Sequence, residues 1–458
     1  MRKGLALFLS LFLGQVAFGA NVDQSARELF ADRAEIGGER ITIKQAVSRA
    51  LSDNFQVVNA QKTKEIYESQ LTAARSNYYP SLSLDATYTR ALKKSKIVLG
   101  SGSPMGSGMM EIGQNNTYQA GLNASYVLWS GGKVRNSVRL AKVGREIGLY
   151  NLWNVQQSTA RTVVKFCYDV IYASALIRVQ EEYLSIAKQH LEETQAKYKQ
   201  GLASNLDVLN QKVKVDNIEP LVLQAKRNFE LGNLYLRQIL NRDPEDKLYL
   251  TWTPEDMQLP QTEPLEELYK RAIEKRPELK LAKLASDVAF YQVKIARAGH
   301  MPTLALFGNY MYNAATEHGF PQHRTGYYWS SNAGVQFSLP LFEGGKISAE
   351  TVQKELEYEQ QLTNYQNTLK NVRIQVKEAW LNLEEARTRI EATKGVVDQA
   401  RENLTAQMKR YRAGLSSQLE LNDATANVNE SDLQYVQAVY DGATALADLK
   451  FAVGAEVD

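Results

Sequence analysis

YRAGLSSQLEL, residues Tyr411 to Leu421, decides the fold, because the chain carries the same stretch earlier as YKQGLASNLDV, Tyr198 to Val208. Tyr, Gly, Leu, Ser and Leu recur at Tyr198/Tyr411, Gly201/Gly414, Leu202/Leu415, Ser204/Ser417 and Leu206/Leu419, all at one offset. A glycine at the end of a helical pattern supplies the left-handed residue that closes it. Ser-x-x-acid, at Ser204 to Asp207 and at Ser417 to Glu420, is a capping box that opens the next helix. Each copy therefore spells a helix-to-helix turn, and two such tips half a chain apart imply a duplicated unit.

Outward from each tip the two copies run in parallel. The segments before them, Lys133 to about Lys199 and Lys346 to about Arg412, hold no proline. At 1.5 Å per residue each spans about 100 Å, more than a compact domain encloses. In the second, Leu362, Tyr365, Leu369, Val372, Val376, Ala379, Leu383, Ala386 and Ile390 step by three and four, and Thr393, Val397, Ala400 and Leu404 continue them. A sustained seam of that period predicts a left-handed coiled coil. The return helices, about Asn205 to Leu240 and about Gln418 to Val453, are half as long. The deficit closes if a helix from about Leu265 stacks on the first return helix and one from Ile41 to about Asn77 stacks on the second.

Each long helix starts at a Gly-Gly-Lys turn, in LWSGGKV from Leu128 and LFEGGKI from Leu341. Before that turn the period is two. Leu82, Leu84, Ala86 and Tyr88 alternate with Ser81, Ser83, Asp85 and Thr87, and Tyr118, Ala120, Leu122, Ala124, Tyr126 and Leu128 alternate with polar or small residues. The second copy repeats this at Leu304, Leu306, Tyr310 and Tyr312, then at Trp329, Ala333, Val335, Phe337, Leu339 and Leu341. These are four strands, each with one apolar face and long enough to cross a bilayer when tilted. Pro80 and Pro302, each in an Ala-Arg-x4-Pro run, end the helices that lead into them. Trp129, Trp329, Tyr126 and Phe342 fit interfacial anchors. The connections within the strand pairs, from Ala91 to Asn116 and from Ala314 to Gly326, are polar and glycine-rich. His318 and His323 in the latter lack the further ligands a metal site needs.

The N-terminus pairs Arg2 and Lys3 with an apolar run from Leu5 to Leu13 and small residues at Ala17 and Gly19, which reads as a signal peptide over 1–19. An N-terminal segment at 20–40 with no clear period precedes a first repeat at 41–240. A proline- and acid-rich irregular linker at 241–264, with the Ile41 lead-in close by, joins it to a second repeat at 265–453 and a short tail at 454–458. The chain has 54 basic and 51 acidic residues, two of the basic ones in the leader, so nothing in the charge suggests nucleic acid. Cys167, the single cysteine, reads as a small buried residue with no disulfide partner. No His-x-x-x-His pair, phosphate loop or Gly-x-Ser-x-Gly elbow is present, so neither enzyme chemistry nor a cofactor is expected.

Four amphipathic strands leave two edges bare, and bare edges in hydrocarbon cost several kcal/mol per unsatisfied group. Copies of the chain must share a barrel. A trimer supplies twelve strands and leaves a conduit, whereas a dimer's interior would fill with side chains. The fold expected is mostly helical with a small β part: a helical barrel beneath a trimeric transmembrane β-barrel.

The paired strand-GGK-long-helix units, Arg276-Pro277-Glu278-Leu279 and the doubled Tyr-x-x-Gly-Leu tips resemble the TolC-like outer-membrane factors of bacterial efflux pumps and type I secretion systems. The resemblance covers nearly the whole chain after the leader. It implies a homotrimeric channel in the bacterial outer membrane that extends into the periplasm. There it would meet a membrane-fusion adaptor and, through it, an inner-membrane transporter of RND or ABC type. It implies a periplasmic gate at Glu420 and Asp423, with Asp207 as a partner in the first hairpin, and adaptor docking at Gly201, Leu202, Ser204, Gly414, Leu415 and Ser417. Archetypal members carry an arginine latch where this chain has Ser416. Cap and turn chemistry explains several of these residues equally well. Export of small molecules, type I protein secretion and, in another class, an exported coiled-coil scaffold without a pore remain the alternatives.

Overall fold

The computed structural model describes residues 29–30, 39–99, 108–319 and 327–455. The leader at 1–19, His323 and part of the glycine-rich connection after Ala91 lie outside them. In chain order the elements are β1 (Glu39–Ile41), α1 (Ile43–Asp53), α2 (Phe55–Ser76), β2 (Ser81–Arg90), β3 (Ser95–Leu99), β4 (Gly108–Ile112), β5 (Asn116–Ser130), α3 (Lys133–Lys199) and α4 (Asn205–Ile239). They continue with β6 (Leu248–Leu250), α5 (Leu265–Lys275), α6 (Pro277–Arg297), β7 (Thr303–Thr316), β8 (Tyr327–Ser338), α7 (Lys346–Arg412) and α8 (Gln418–Ala452). Both long helices have 67 residues and both return helices 35, so the duplication expected from the tips is kept to the residue. α4 carries Pro220 in its interior, where the ring removes one backbone hydrogen bond.

The chain divides into two compact units. One holds residues 58–155 and 276–372, and with them an antiparallel sheet in the order β2-β5-β7-β8. Its register sets Leu84 beside Leu122 and Leu122 beside Tyr310, then Leu306 beside Val335 and Tyr312 beside Trp329. Directly paired residues share a face, so the apolar stripe expected on each strand becomes one continuous surface. On the other face Asn123 donates to Asp85 at 2.6 Å, Ser81 and Ser125 lie 2.9 Å apart, and Asn332 donates to Asn309 at 3.2 Å. Inner strands β5 and β7 are paired on both sides, while among the described residues β2 and β8 are paired on one side only.

The sequence reading needs correcting here in three places. The first connection, read only as polar and glycine-rich, holds an antiparallel strand pair, β3 with β4, which sets Ile97 opposite Met110. β8 ends at Ser338, so Leu339 and Leu341 belong to an extended lead into the Gly-Gly-Lys turn. The lead-in helices are also broken, at Asn54 and at Arg276, whose backbones are both extended (φ/ψ −66°/131° and −71°/122°). Pro277 stands at the first position of the helix that resumes after Arg276, where its missing N–H costs nothing.

The other unit holds residues up to Val57, 156–275 and from Arg373 on. Its core joins Val163, Cys167, Ile171 and Ile177 of α3 to Leu236 and Leu240 at the end of the first return segment and Tyr435, Val436 and Val439 of α8. On α7 the expected seam is buried at Val372, Val376, Ala379, Leu383, Ala386, Val397 and Leu404, whereas Leu362 is exposed. The linker is irregular over most of its length but not throughout. Its β6 pairs in parallel with β1, setting Ile41 beside Leu250, so the lead-in does lie next to it, as a strand rather than a helix end. Trp252 is buried and donates from Nε1 to the Phe30 carbonyl at 2.9 Å.

The stacking expected of the Ile41 lead-in also fails. Asn54 donates its side-chain amide to the carbonyl of Ile239, the last residue of α4, at 2.9 Å. The Ile41 lead-in thus meets the return helix of its own repeat. Equal helix lengths made both pairings geometrically acceptable, and length was the only criterion available.

Cys167 is fully buried, and desolvation raises its thiol pKa above the usual range. A maleimide should therefore label it only after unfolding. Ile171→Ala, which opens a cavity one turn away, should cost about 2–5 kcal/mol and bring labelling on at lower denaturant concentration.

Candidate functional site

Both tips are built as their sequences require. Gly201 and Gly414 have φ of 74° and 72°. Leu202 N–H donates to the Lys197 carbonyl at 2.9 Å and Leu415 N–H to the Arg410 carbonyl at 2.8 Å, the six-residue closure of a Schellman turn. Ser204 and Ser417 then cap α4 and α8, each in a complete capping box. Leu202 and Leu415 are 73% and 71% exposed, so the two turns present a leucine to solvent at equivalent positions.

The three candidate gate acids differ in environment. The Asp207 carboxylate accepts from the Ser204 hydroxyl at 2.7 Å and from the Ser204 N–H at 2.9 Å, and these bonds hold its pKa below the ordinary carboxylate range. The Ser416 hydroxyl lies 2.6 Å from the Glu420 carboxylate, and Ser417 N–H donates to it at 2.8 Å. The Ser416 bond is the main cause of a lowered Glu420 pKa, followed by the Ser417 backbone. Asp423 lies three residues further on, on the same face of α8, exposed and outside the cap. It faces Lys214 of the first hairpin, attracting a cation that burial otherwise pushes toward neutrality. Glu420 and Asp423 thus share a face of α8, while both Asp207 and Glu420 are engaged by their own helix starts.

Sequence reasoning missed the residues that join the two hairpins. Arg412 pairs with Glu193 at 3.1 Å, Gln418 donates to Thr194 at 3.0 Å, and Gln211 donates to Asn422 at 3.0 Å. The Lys197 ammonium stands 3.6 Å from the centre of the Tyr411 ring, whose hydroxyl lies 3.1 Å from Gln418 Oε1. Tyr411 therefore packs, as the seam suggested, but its counterpart Tyr198 is exposed and does not. Ile186, which packs beside Leu404 and Leu421, is followed at four-residue steps by His190 and Thr194. That spacing was the available signal, hidden because the stripe turns from apolar to polar.

His190 is 4% exposed, and neither ring nitrogen has a hydrogen-bond partner in the structure. Burial lowers its pKa. Glu193 on its own helix opposes that shift, and Lys214 of α4 and Arg412 of α7 reinforce it.

The family model described as "Outer membrane efflux protein" matches residues 46–242 and 268–455, one match per repeat. The chain belongs to the outer membrane efflux protein family. It is accordingly a transport channel of the bacterial outer membrane that extends into the periplasm, and it is not an enzyme. It is 22% identical to outer membrane protein TolC of Vibrio cholerae over 455 residues, which cover 99% of this chain and 96% of that one. It is 28% identical to the alkaline protease secretion protein AprF of Pseudomonas aeruginosa over 183 residues, 40% of this chain and 37% of that one. Its fold matches the CmeC outer membrane channel of Campylobacter jejuni with a TM-score of 0.74 at 20% identity, covering 97% of this chain and 94% of that one. Among the described residues no helix is long and apolar enough to cross a membrane.

Because the packed state holds His190 neutral, its contribution is complete above the ordinary histidine pKa of about 6.5 and weakens as pH falls through that value. Between pH 7.5 and 5.5, amide protection over 186–197 and 411–424, corrected for intrinsic exchange, should fall in the parent and stay level in His190→Gln.

Proposed function

We infer that three copies of this chain close one twelve-stranded barrel, and that the trimer is the passive exit duct of a tripartite pump exporting small molecules. The carrying observation is the open four-stranded sheet, apolar on one face and bare along β2 and β8. Hydrocarbon supplies no partner for those backbone groups, so another copy of the sheet must. On this reading residues 1–19 are removed on export, 41–240 and 265–453 are the two structural repeats, and 241–264 is the belt between them.

The tips are then the periplasmic mouth. Glu420 and Asp423, repeated three times about an axis, would form an acidic ring that repels itself, attracts cations and gates the pore, with Asp207 in the flanking hairpin. Leu202 and Leu415, with Gly201, Ser204, Gly414 and Ser417, would receive a periplasmic membrane-fusion adaptor, which couples the duct to an energised inner-membrane transporter. Paired exposed leucines on otherwise polar turns support that role. Type I protein secretion stands as the second reading, favoured by the likeness to the protease secretion protein AprF.

Native mass spectrometry of the detergent-extracted protein should show three chains; a lone chain with its sheet edges protected from exchange would overturn the assembly. In planar bilayers Glu420→Ala with Asp423→Ala should raise the current and reduce cation preference, and unchanged values would remove both acids from the gate. Deleting the gene should sensitise cells to toxic small molecules under the first reading, and abolish release of a secreted protein under the second.

A further inference from the structure

The start of α3 carries five cations in thirteen residues, Lys133, Arg135, Arg139, Lys142 and Arg145, before its first acid, Glu146. Arg135 and Lys142 are exposed and Arg139 is half-buried. Among the described residues none of the five has an ion-pair partner. Arg135, Arg139 and Lys142 follow one another at four and three residues, forming a stripe along one face. The packed face is a different one: Val138 is buried, and Gly144 and Gly148 lie against the Tyr67 ring of α2.

This arrangement is electrostatically adverse as it stands. Cations crowd one another at the positive end of a helix dipole, where acids would be favourable, and the first turn of α3 has none. Nor does the fold require it. At the equivalent positions of the second copy, Lys133 is kept as Lys346, but Arg135, Arg139, Lys142 and Arg145 become Ser348, Val352, Glu355 and Tyr358. A requirement of the duplicated architecture would have left cations in both.

Their place along the chain names the missing anion. β5 ends at Ser130, with Trp129 exposed beside that end, and α3 begins at Lys133. Tyr78 and Tyr79, also exposed, lie just before β2, whose first residue pairs near the same end of the sheet. Aromatic residues at strand ends mark a bilayer boundary. The headgroup layer beyond the hydrocarbon is about 5–7 Å deep. At 1.5 Å per residue Arg135 lies about 3 Å and Arg139 about 9 Å below the helix start, and Lys142, at about 13.5 Å, falls within a further screening length of about 8 Å. Because β5 is an inner strand, the helix that follows it does not attach at the seam where a neighbouring copy would join.

We propose that the α3 stripe of Arg135, Arg139 and Lys142 binds the phosphates of anionic glycerophospholipids in the periplasm-facing leaflet, anchoring the channel's height in the membrane on the first repeat alone. The proposal rests on reading the four strands as membrane-spanning.

The test compares the parent with Arg135→Gln/Arg139→Gln/Lys142→Gln, and with Lys346→Gln/Lys354→Gln as the second-copy control. Each is reconstituted into nanodiscs of phosphatidylcholine with or without phosphatidylglycerol. Lipid retained after detergent exchange is counted by native mass spectrometry, and ion selectivity is read in planar bilayers. The parent and the control should retain phosphatidylglycerol over phosphatidylcholine, less so at high salt. The triple variant should lose that preference by roughly fivefold per cation removed. Equal retention by parent and triple variant overturns the proposal. So does altered ion selectivity with unchanged lipid retention, which would place the stripe on the conduit. Failure of the parent itself to insert would overturn the membrane reading as well, whereas insertion without lipid preference overturns the stripe alone.

Discussion

The rest of the molecule depends on the two rows of backbone groups along β2 and β8. In water an open sheet of four strands is ordinary, but in hydrocarbon each unpaired N–H or C=O costs several kcal/mol. A chain with one four-stranded sheet cannot remove that cost alone. The helices inherit the constraint. β2 and β7 are entered from α2 and α6, and β5 and β8 run out into α3 and α7, so each strand of the four-stranded sheet is joined to a helix by a short connection. Whatever closes the sheet therefore gathers the helices too.

Duplication supplies those strands economically, and the differences between the copies show which positions were left free to diverge. The caps did not change: Ser204 with Asp207 and Ser417 with Glu420 make the same bonds. The tyrosines before them did, since Tyr411 is covered by Lys197 while Tyr198 is exposed. The contacts between hairpins, Glu193 with Arg412 and Gln211 with Asn422, join unlike partners and follow no internal symmetry. Such polar contacts are individually modest and replaceable.

Elements with a period were legible in the sequence; contacts between distant elements were not. The 67-residue helices, the four strands and the capped tips each announce themselves within a window of a dozen residues. The break at Asn54 is set by a bond to Ile239, and the β1–β6 pair by the register of Ile41 with Leu250, both about two hundred residues away. Proline and acids made 241–264 look irregular, yet Leu248, Leu250, Trp252 and Met257 are buried in the core. At the site, the turn chemistry of Gly201 and Gly414 could be read locally. The surroundings of His190 could not, because Lys214 and Arg412 reach it from other helices.

The pairing of β5 with β7 fixes an order of events for a chain that emerges N-terminus first. Asn116 cannot find Thr316 until the whole first hairpin and the belt have been delivered. Closing so long a loop is entropically slow, and until then the apolar face of the first strand pair has no sheet to join. A chain stalled midway would be a half-sheet with an exposed greasy surface in an aqueous compartment, the kind of species that chaperones hold. Biogenesis of this channel is thus expected to be limited by the arrival of its second half, before any encounter between finished subunits.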